Sequence, residues 1–323
     1  MVRYYKISDG FLLENNEADY AVRVLISPTE ADLSLLKTTY DIDEHTIASL
    51  IDPEEEPRFE QEDDHFIIVW KCPKNFQFSG SLSFEVTSIA ILGFSDKLEV
   101  ILSEDFNLIG GKISQRYNSI FEFLLGILSR TIIHFQSHLK IINMVAKELK
   151  QKINTSMDNT YLLQMFDLAE SLVYYLNAIS SNGIVLEKLK RNAIKIGFSP
   201  DEVELINDIL IDNNQCSKKA EVLSSVMAGL MDARGTVVNN NVNSLLRRLT
   251  IINTIFLPLN LLASIGGMSE YTAFTSRWDW KLSYLAFFIV SFLIAIITYF
   301  LIEPKKLKLR KSIHRRKKWK ENK

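Results

Sequence analysis

The sequence predicts an α+β membrane protein: an N-terminal α/β domain, a long antiparallel helical pair, and a stalk helix continuing into a C-terminal two-helix transmembrane hairpin. Three observations carry this. Residues 249–269 and 282–302 are each 21 consecutive uncharged positions. At about 1.5 Å per helical residue, such runs cross a hydrocarbon layer roughly 30 Å thick. Short runs rich in β-branched and aromatic residues fill the first hundred positions, and apolar residues then recur three, four and seven apart.

Composition narrows the class by exclusion. With 47% apolar residues, 12 Gly and 7 Pro, the chain is neither disordered nor fibrous. A net charge of -2, from 37 Lys+Arg and 39 Asp+Glu, argues against a nucleic-acid partner. Cys72 and Cys216 are far apart with no second ligand at metal spacing, so neither a disulfide framework nor a zinc site is indicated.

Along the chain, residues 20–26, 65–72, 84–92 and 98–102 read as strands. Between the first two, Ser27-Pro28-Thr29-Glu30 reads as a capping box with proline at the first helical position, opening a helix through about Tyr40. A long helix follows from about residue 115 to 153, its apolar face marked by Tyr117, Phe121, Leu124, Leu128, Ile132, Phe135, Leu139 and Ile142. A second, from about 159 to 193, returns antiparallel across a short polar link. Ser199-Pro200-Asp201-Glu202 opens a third, with nothing to stop it before Gly266. A helix on the order of 100 Å long cannot stand as an isolated rod, so assembly with further copies is expected.

The layout is therefore a domain over 1–114, a helical pair over 115–198, a stalk over 199–248, spans at 249–269 and 282–302, an outer loop at 270–281 and a basic tail at 303–323. That tail holds eleven Lys/Arg against two Asp/Glu, so residues 1–302 carry -11. The loop balances Glu270 and Asp279 against Arg277 and Lys281. By the positive-inside rule both termini are cytoplasmic, with the tail against the inner leaflet of the cell membrane.

Projected at 100° per residue, Asp232, Gly235, Asn239, Asn243, Leu246, Thr250, Asn253, Leu257, Asn260 and Ser264 share one arc of the third helix. An amide inside hydrocarbon is costly unless it meets a neighbouring helix or water. The register of these groups favours a water-lined path, ringed by first spans with the uniformly apolar second spans outside. Leu246 and Leu257 would be apolar constrictions.

The run from Leu249 to Glu270, LTIINTIFLPLNLLASIGGMSE, resembles the first span of CorA-type magnesium transporters, whose pattern is close to LTIIxTIFxPLTxIAGIYGMNFE. Pro57-Arg58-Phe59-Glu60, followed by Phe66-Ile67-Ile68-Val69, is similar to that family's RPKxE and YxFIV segments. The resemblance implies a homopentamer in the lipid bilayer that passes Mg²⁺, with Co²⁺ or Ni²⁺ as further ions, gated by cytosolic divalent ions and using no organic cofactor. Carried across, the loop's Gly-Met-Asn falls on Gly267, Met268 and Ser269, its preceding Tyr on Gly266, and Glu270 follows. The pore Asn matches Asn243, a Thr is replaced by Asn260 and a Gly by Ser264. The sensing Asp of the stalk matches Asp232, while its carboxylate partner falls on Ser49, with Asp52 one turn away.

Ser269 changes the chemistry of the loop. Mg²⁺ sheds water reluctantly, so a filter selects it through its hydration shell, for which an amide on a longer arm suits; a serine hydroxyl is shorter and also donates. The zinc-transporting, ZntB-like branch, which also varies this loop, stays open, as does a non-conducting membrane scaffold. Eight acidic residues between Asp52 and Asp64 read as a solvated loop or a weak cation sensor, and His134 with His138 as at most half a metal site. With no phosphate loop or nucleophile motif, no enzyme is expected.

Overall fold

The computed structural model describes residues 1–15, 19–74, 83–105, 116–155 and 160–302; the basic tail lies outside these. The chain divides into two compact units, residues 1–232 and 233–323.

The first unit is built on a seven-stranded sheet ordered β2-β1-β3-β7-β6-β5-β4. Its strands are β1 (Val2–Ser8), β2 (Phe11–Asn15), β3 (Val22–Ile26), β4 (Arg58–Gln61), β5 (Phe66–Pro73), β6 (Val86–Gly93) and β7 (Leu98–Leu102). Only β3 and β7 pair in parallel; the other neighbours are antiparallel. Both faces are covered. Leu25, Ile67, Ala90, Leu92 and Ile101 point to α1 (Glu30–Tyr40) and α2 (Glu44–Leu50), where they meet Leu36, Ile47 and Leu50. Val24, Ile68, Trp70, Ile89, Ile91, Val100 and Leu102 join a larger core with α3 (Ile120–Thr155), α4 (Thr160–Ile196) and the first part of α5 (Pro200–Gly266). Burial on both faces is why these strands read as nearly unbroken apolar runs.

Long-range hydrogen bonds set the helices on that sheet. Trp70 Nε1 donates to Thr131 Oγ1 on α3 at 2.7 Å. Beyond Val69 no β4 residue pairs with β5. There the Asn182 side chain of α4 takes the place of a strand: its Oδ1 accepts from Lys71 N at 3.0 Å and its Nδ2 donates to Lys71 O at 2.8 Å. A backbone edge that would be buried without partners is thus satisfied. Phe84 stacks edge-on against His138 of α3, and its N–H donates to Ser171 of α4. Positions 131 and 138 therefore run alongside 182 and 171, which makes α3 and α4 antiparallel as expected.

Several elements differ from the sequence reading. The α1 cap is two residues later: Thr29 is the N-cap and Asp32 its reciprocal partner, so Pro28 lies outside the helix. Ser27 cannot cap because the sheet holds it, its N–H donating to Leu102 O and its hydroxyl to Ser103 O, with φ at 46°. Strands β1 and β2 were not expected, although Asp9-Gly10 between them, both at positive φ, is a strong hairpin signal. Helix α2 starts at Asp43, whose side chain accepts from Thr46 N at 2.9 Å. Strand β4 falls on the Arg58–Gln61 stretch, too short for a periodicity to show. At Ser199 the expected cap is present: Ser199 N donates to Glu202 Oε2 at 2.7 Å, and Glu202 N to Ser199 Oγ at 3.3 Å.

One charged pair is buried in the sheet. Arg23 Nε lies 2.5 Å from Glu99 Oε2, and Tyr40 and Tyr20 donate to Glu99 Oε1 at 2.8 and 3.1 Å. Glu99 is fully buried, and burial pushes both tyrosine hydroxyls upward. Removing one partner strands a charge in the interior, so Arg23→Met should lower unfolding free energy by about 3–5 kcal/mol. The double variant Arg23→Met/Glu99→Leu should recover most of that loss. Denaturant titration of the full chain in detergent, followed by tryptophan emission, checks both; an equal loss in the two variants contradicts the pairing.

Candidate functional site

The second unit contains the C-terminal part of α5, then α6 (Ser269–Thr275) and α7 (Trp280–Ile302). Within it α5 and α7 are long and apolar enough to cross a membrane. Almost none of their apolar windows is buried in the chain's own fold, and neither is near the N-terminus. A core helix would be covered, and exposed Leu249, Ile252, Phe256, Leu261, Phe288 and Phe292 would be insoluble in water. The fold thus leaves these helices to lipid or to other chains.

The residues of α5 sort by face. Partly covered positions are Ile251, Ile255, Pro258, Leu259, Leu262 and Gly266, and on α7 they are Phe287, Ser291, Ile294, Ala295 and Thr298, with Ser283 buried. Each set falls on one side of its helix. At one end Gly266 meets the Phe287 ring, where an added Cβ would lie 2.9 Å from a ring carbon. Asn239, Asn243, Leu246, Thr250, Asn253, Leu257, Asn260 and Ser264 are all exposed. At 100° per residue their arc is centred about 160° from the covered face. The polar line therefore looks away from α7.

Hydrogen bonding within the line is uneven. Thr250 donates to Leu246 O and Thr254 to Thr250 O, both at 2.8 Å, so these hydroxyl protons are used along the helix. Among the described residues neither Asn253 nor Asn260 makes a side-chain hydrogen bond, and both amides are open to solvent or a neighbour. Pro258 lacks an N–H and so leaves the Thr254 carbonyl without its helical donor.

At the end of α5, Gly267 N donates to Ala263 O at 3.1 Å and Met268 N to Ile265 O at 3.1 Å. Met268 leaves the helical region at φ -79°, ψ 147° and is the N-cap of α6. Ser269 is the first residue of that short helix, so the expected outer loop begins with two helical turns.

The residues expected to sense cations lie in the first unit. Asp232 and Asp52 are exposed. One oxygen of Asp52 accepts from Glu54 N at 2.9 Å. Ser49 is nearly buried, and its hydroxyl donates to Thr46 O at 2.7 Å while accepting from Arg58 Nη2 at 2.6 Å. Arg58 also pairs with Glu60 at 2.8 Å and with Glu55. The acidic stretch is thus partly neutralised from within. Among the described residues no group of three or more His, Cys, Asp or Glu is placed to hold a metal within one chain.

The histidine pair is structural. His134 and His138 rings lie 4.4 Å apart, and His138 Nδ1 is 2.6 Å from Tyr175 Oη in the helical core. Burial, and secondarily His134, push His138 down to about 4. Cys72 and Cys216 are free and buried, and burial raises them to about 12 and about 11, so neither is a reactive thiolate.

A membrane protein is thereby defined, with a two-helix hairpin bearing one polar line and a mixed-sheet domain of its own. The chain belongs to the CorA-like Mg²⁺ transporter family, whose model matches residues 24–311. It is 25% identical, over 251 residues and 75% of its length, to the cobalt/magnesium transport protein CorA of Methanocaldococcus jannaschii, covering 77% of that protein. The solved complete CorA magnesium transporter of that organism superposes with a TM-score of 0.79 at 20% identity, covering 93% of this chain and 96% of that one. The ZntB cytoplasmic domain of Vibrio parahaemolyticus also superposes, with a TM-score of 0.61 at 13% identity over 74% of this chain and 98% of that one. The N-terminal fold is therefore common to proteins of both names and does not select an ion.

The histidines give a pH test. Unfolded, an imidazole titrates near 6.5, whereas folded His138 titrates near 4. Above about pH 6.5 both states are neutral. As pH falls from 6.5 toward 4 the unfolded chain takes up a proton that the folded chain refuses, so stability drops across that window. Thermal melts of the full chain in detergent should show His138→Gln losing less stability between pH 7 and 4.5 than the native chain; parallel losses would count against the burial argument.

Proposed function

We propose that this chain forms a homopentameric channel passing Mg²⁺, and with it Co²⁺ or Ni²⁺, into the cell down the electrochemical gradient. The observation that carries it is the exposed polar line of α5 on the side away from α7. Five such lines facing a common axis enclose a hydrophilic path, with α7 helices outside against lipid. A divalent ion entering along a potential of 100 mV gains about 4.6 kcal/mol, twice the single-charge value, so no nucleotide is required.

In this reading the membrane spans are 249–269 and 282–302, joined outside by 270–281. The domain at 1–114, the helices at 115–198, the stalk at 199–248 and the tail at 303–323 are cytoplasmic. Gly266, Gly267, Met268, Ser269 and Glu270 form the selectivity loop that receives the hydrated ion. Below them Ser264, Asn260, Asn253, Thr250, Asn243 and Asn239 exchange hydrogen bonds with its water shell. Leu257 and Leu246 are the constrictions that close by dewetting. Cytosolic divalent ions at Asp232, with Asp52 in place of the usual partner, favour the closed ring. Family kinship and the cobalt/magnesium transport proteins among its relatives support the choice of ions.

Ser269 gives a second reading its footing, because a hydroxyl replaces the amide that suits hydrated Mg²⁺; this reading is Zn²⁺ transport. Flux into proteoliposomes with Mg²⁺, Co²⁺, Ni²⁺ and Zn²⁺ decides. Native protein should pass Mg²⁺, and Ser269→Asn should raise Mg²⁺ capture several-fold. Zn²⁺ flux driven by a proton gradient with Mg²⁺ excluded would move the assignment to zinc. No flux of any ion in either protein would leave a scaffold. Asn260→Leu should cut Mg²⁺ conductance at least tenfold; unchanged conductance would take that residue out of the path.

A further inference from the structure

Beside the start of α7 the second unit has a cavity of about 330 Å³ that the conduction pathway does not use. Tyr271, Trp278, Trp280 and Tyr284 line it, together with one carboxylate, Asp279, and the hydroxyl of Ser283. Trp278 and Trp280 are 65% and 68% exposed. The Tyr271 and Tyr284 rings stand 6.3 Å apart at 64°, and Tyr271 Oη is 3.2 Å from the buried Ser283 Oγ, which fixes the tyrosine as one wall.

Aromatic faces around a carboxylate are the chemistry that holds an organic ammonium. A cation already uses one of these faces, since Lys281 Nζ lies 5.7 Å from the Trp280 ring centroid. Asp279 Oδ1 accepts from Lys281 N at 3.2 Å, and among the described residues Asp279 has no ion-pair partner. Arg277 and Lys281, both exposed, flank the same turn. A positive pair outside an aromatic box with a negative wall is complementary to a zwitterion that carries a phosphate beside an ammonium. The volume is at the low end of small-molecule sites, roughly 300–1,000 Å³, which suits a headgroup rather than a whole lipid. The box sits where α7 begins its apolar run, at the level of a membrane surface.

An aromatic belt alone would supply the tryptophans. The carboxylate caps α7, its Oδ1 accepting from Lys281 N, but neither a belt nor a cap by itself brings Asp279 into one cavity with Tyr271, Tyr284 and both tryptophans. We propose that this cavity binds the headgroup of a zwitterionic phospholipid of the outer leaflet, its ammonium in the aromatic box against Asp279 and its phosphate on Lys281 and Arg277. The proposal rests on α7 being a membrane span with residues 270–281 on the outer side, as in the proposed function, not on which ion the channel passes.

The test is native mass spectrometry of the full chain reconstituted in nanodiscs of phosphatidylglycerol doped equally with phosphatidylcholine and phosphatidylethanolamine. The native protein should retain the two ammonium lipids over phosphatidylglycerol. Asp279→Asn keeps a good helix cap while removing the charge, and should reduce that preference about tenfold; Trp280→Leu should do the same if the first variant fails to insert. Equal retention of all three lipids, or a preference untouched by both variants, overturns the proposal. Choline at millimolar concentration that binds while no lipid preference exists shows the ligand to be a free organic cation and overturns the lipid assignment. A native chain that does not insert at all overturns the span reading and the proposal with it, whereas loss of Mg²⁺ flux with intact lipid selection overturns only the transport reading.

Discussion

Two side-chain amides, Asn253 and Asn260, on a helix otherwise clothed in Leu, Ile and Phe, set the constraint on which the second unit depends. Hydrocarbon cannot satisfy an amide, and water cannot accommodate the apolar remainder of the same helix. One surface must therefore face lipid or α7 and the opposite one must face something polar. The chain supplies the first condition by seating α7 against the Gly266 side, where the absence of a Cβ admits the Phe287 ring. The second condition lies outside a single chain. The proposed self-association answers this second condition.

The first unit meets a different constraint with similar economy. A sheet covered on both faces must bury the polar groups it carries, and among the described residues those at its centre have partners, whereas Gln61 Oε1 at the β4 edge is buried without one. Glu99 is held by Arg23 and two tyrosine hydroxyls, and the free edge at Lys71 is closed by Asn182. At Gly93 even a methyl group is excluded, because the Phe66 ring opposite it would stand 2.0 Å from a Cβ. Such a body is rigid enough for helices α3 to α5 to be positioned by packing rather than by their own propensity.

What was legible in the sequence follows from the range of the forces involved. Helices α4 and α5 were read nearly to their ends, and α3 only at its C-terminal end, because a 3.6-residue period persists over dozens of positions and Ser199 caps with its own neighbours, whereas α3 begins at Ile120 after the Ser119 cap, past Tyr117. The central strands were read because burial on both faces makes them solidly apolar. Strands β1 and β2 were missed since residues such as Arg3, Lys6 and Glu14 interrupt the apolar run near the sheet edge, although Asp9-Gly10 marked their turn. The α1 cap was misplaced by two residues because Ser27 is claimed by Leu102 and Ser103, contacts about 75 residues distant. The polar line of α5 was visible as spacing alone, whereas its position opposite α7 needed both helices in place. The aromatic box escaped because its members join only when α6 folds back toward α7.

The same logic bears on regulation. The resemblance places a cation-binding carboxylate at Ser49, yet here the position carries a hydroxyl already engaged at both ends, to Thr46 and to the Arg58 guanidinium. Arg58 is a cation fixed by the covalent chain and held by Glu55 and Glu60, so its presence does not vary with the concentration of any ion in solution. A ligand shifts a conformational equilibrium only by the difference in its affinity for the two states. In the proposed channel, with Ser49 unable to supply charge, that difference would fall to Asp52 and Asp232. Both are exposed, where water and salt weaken their hold. Charge that would serve a titratable sensor ties β4 to α2 instead, and in the proposed ring, closure would need higher ion concentrations than a site with two committed carboxylates.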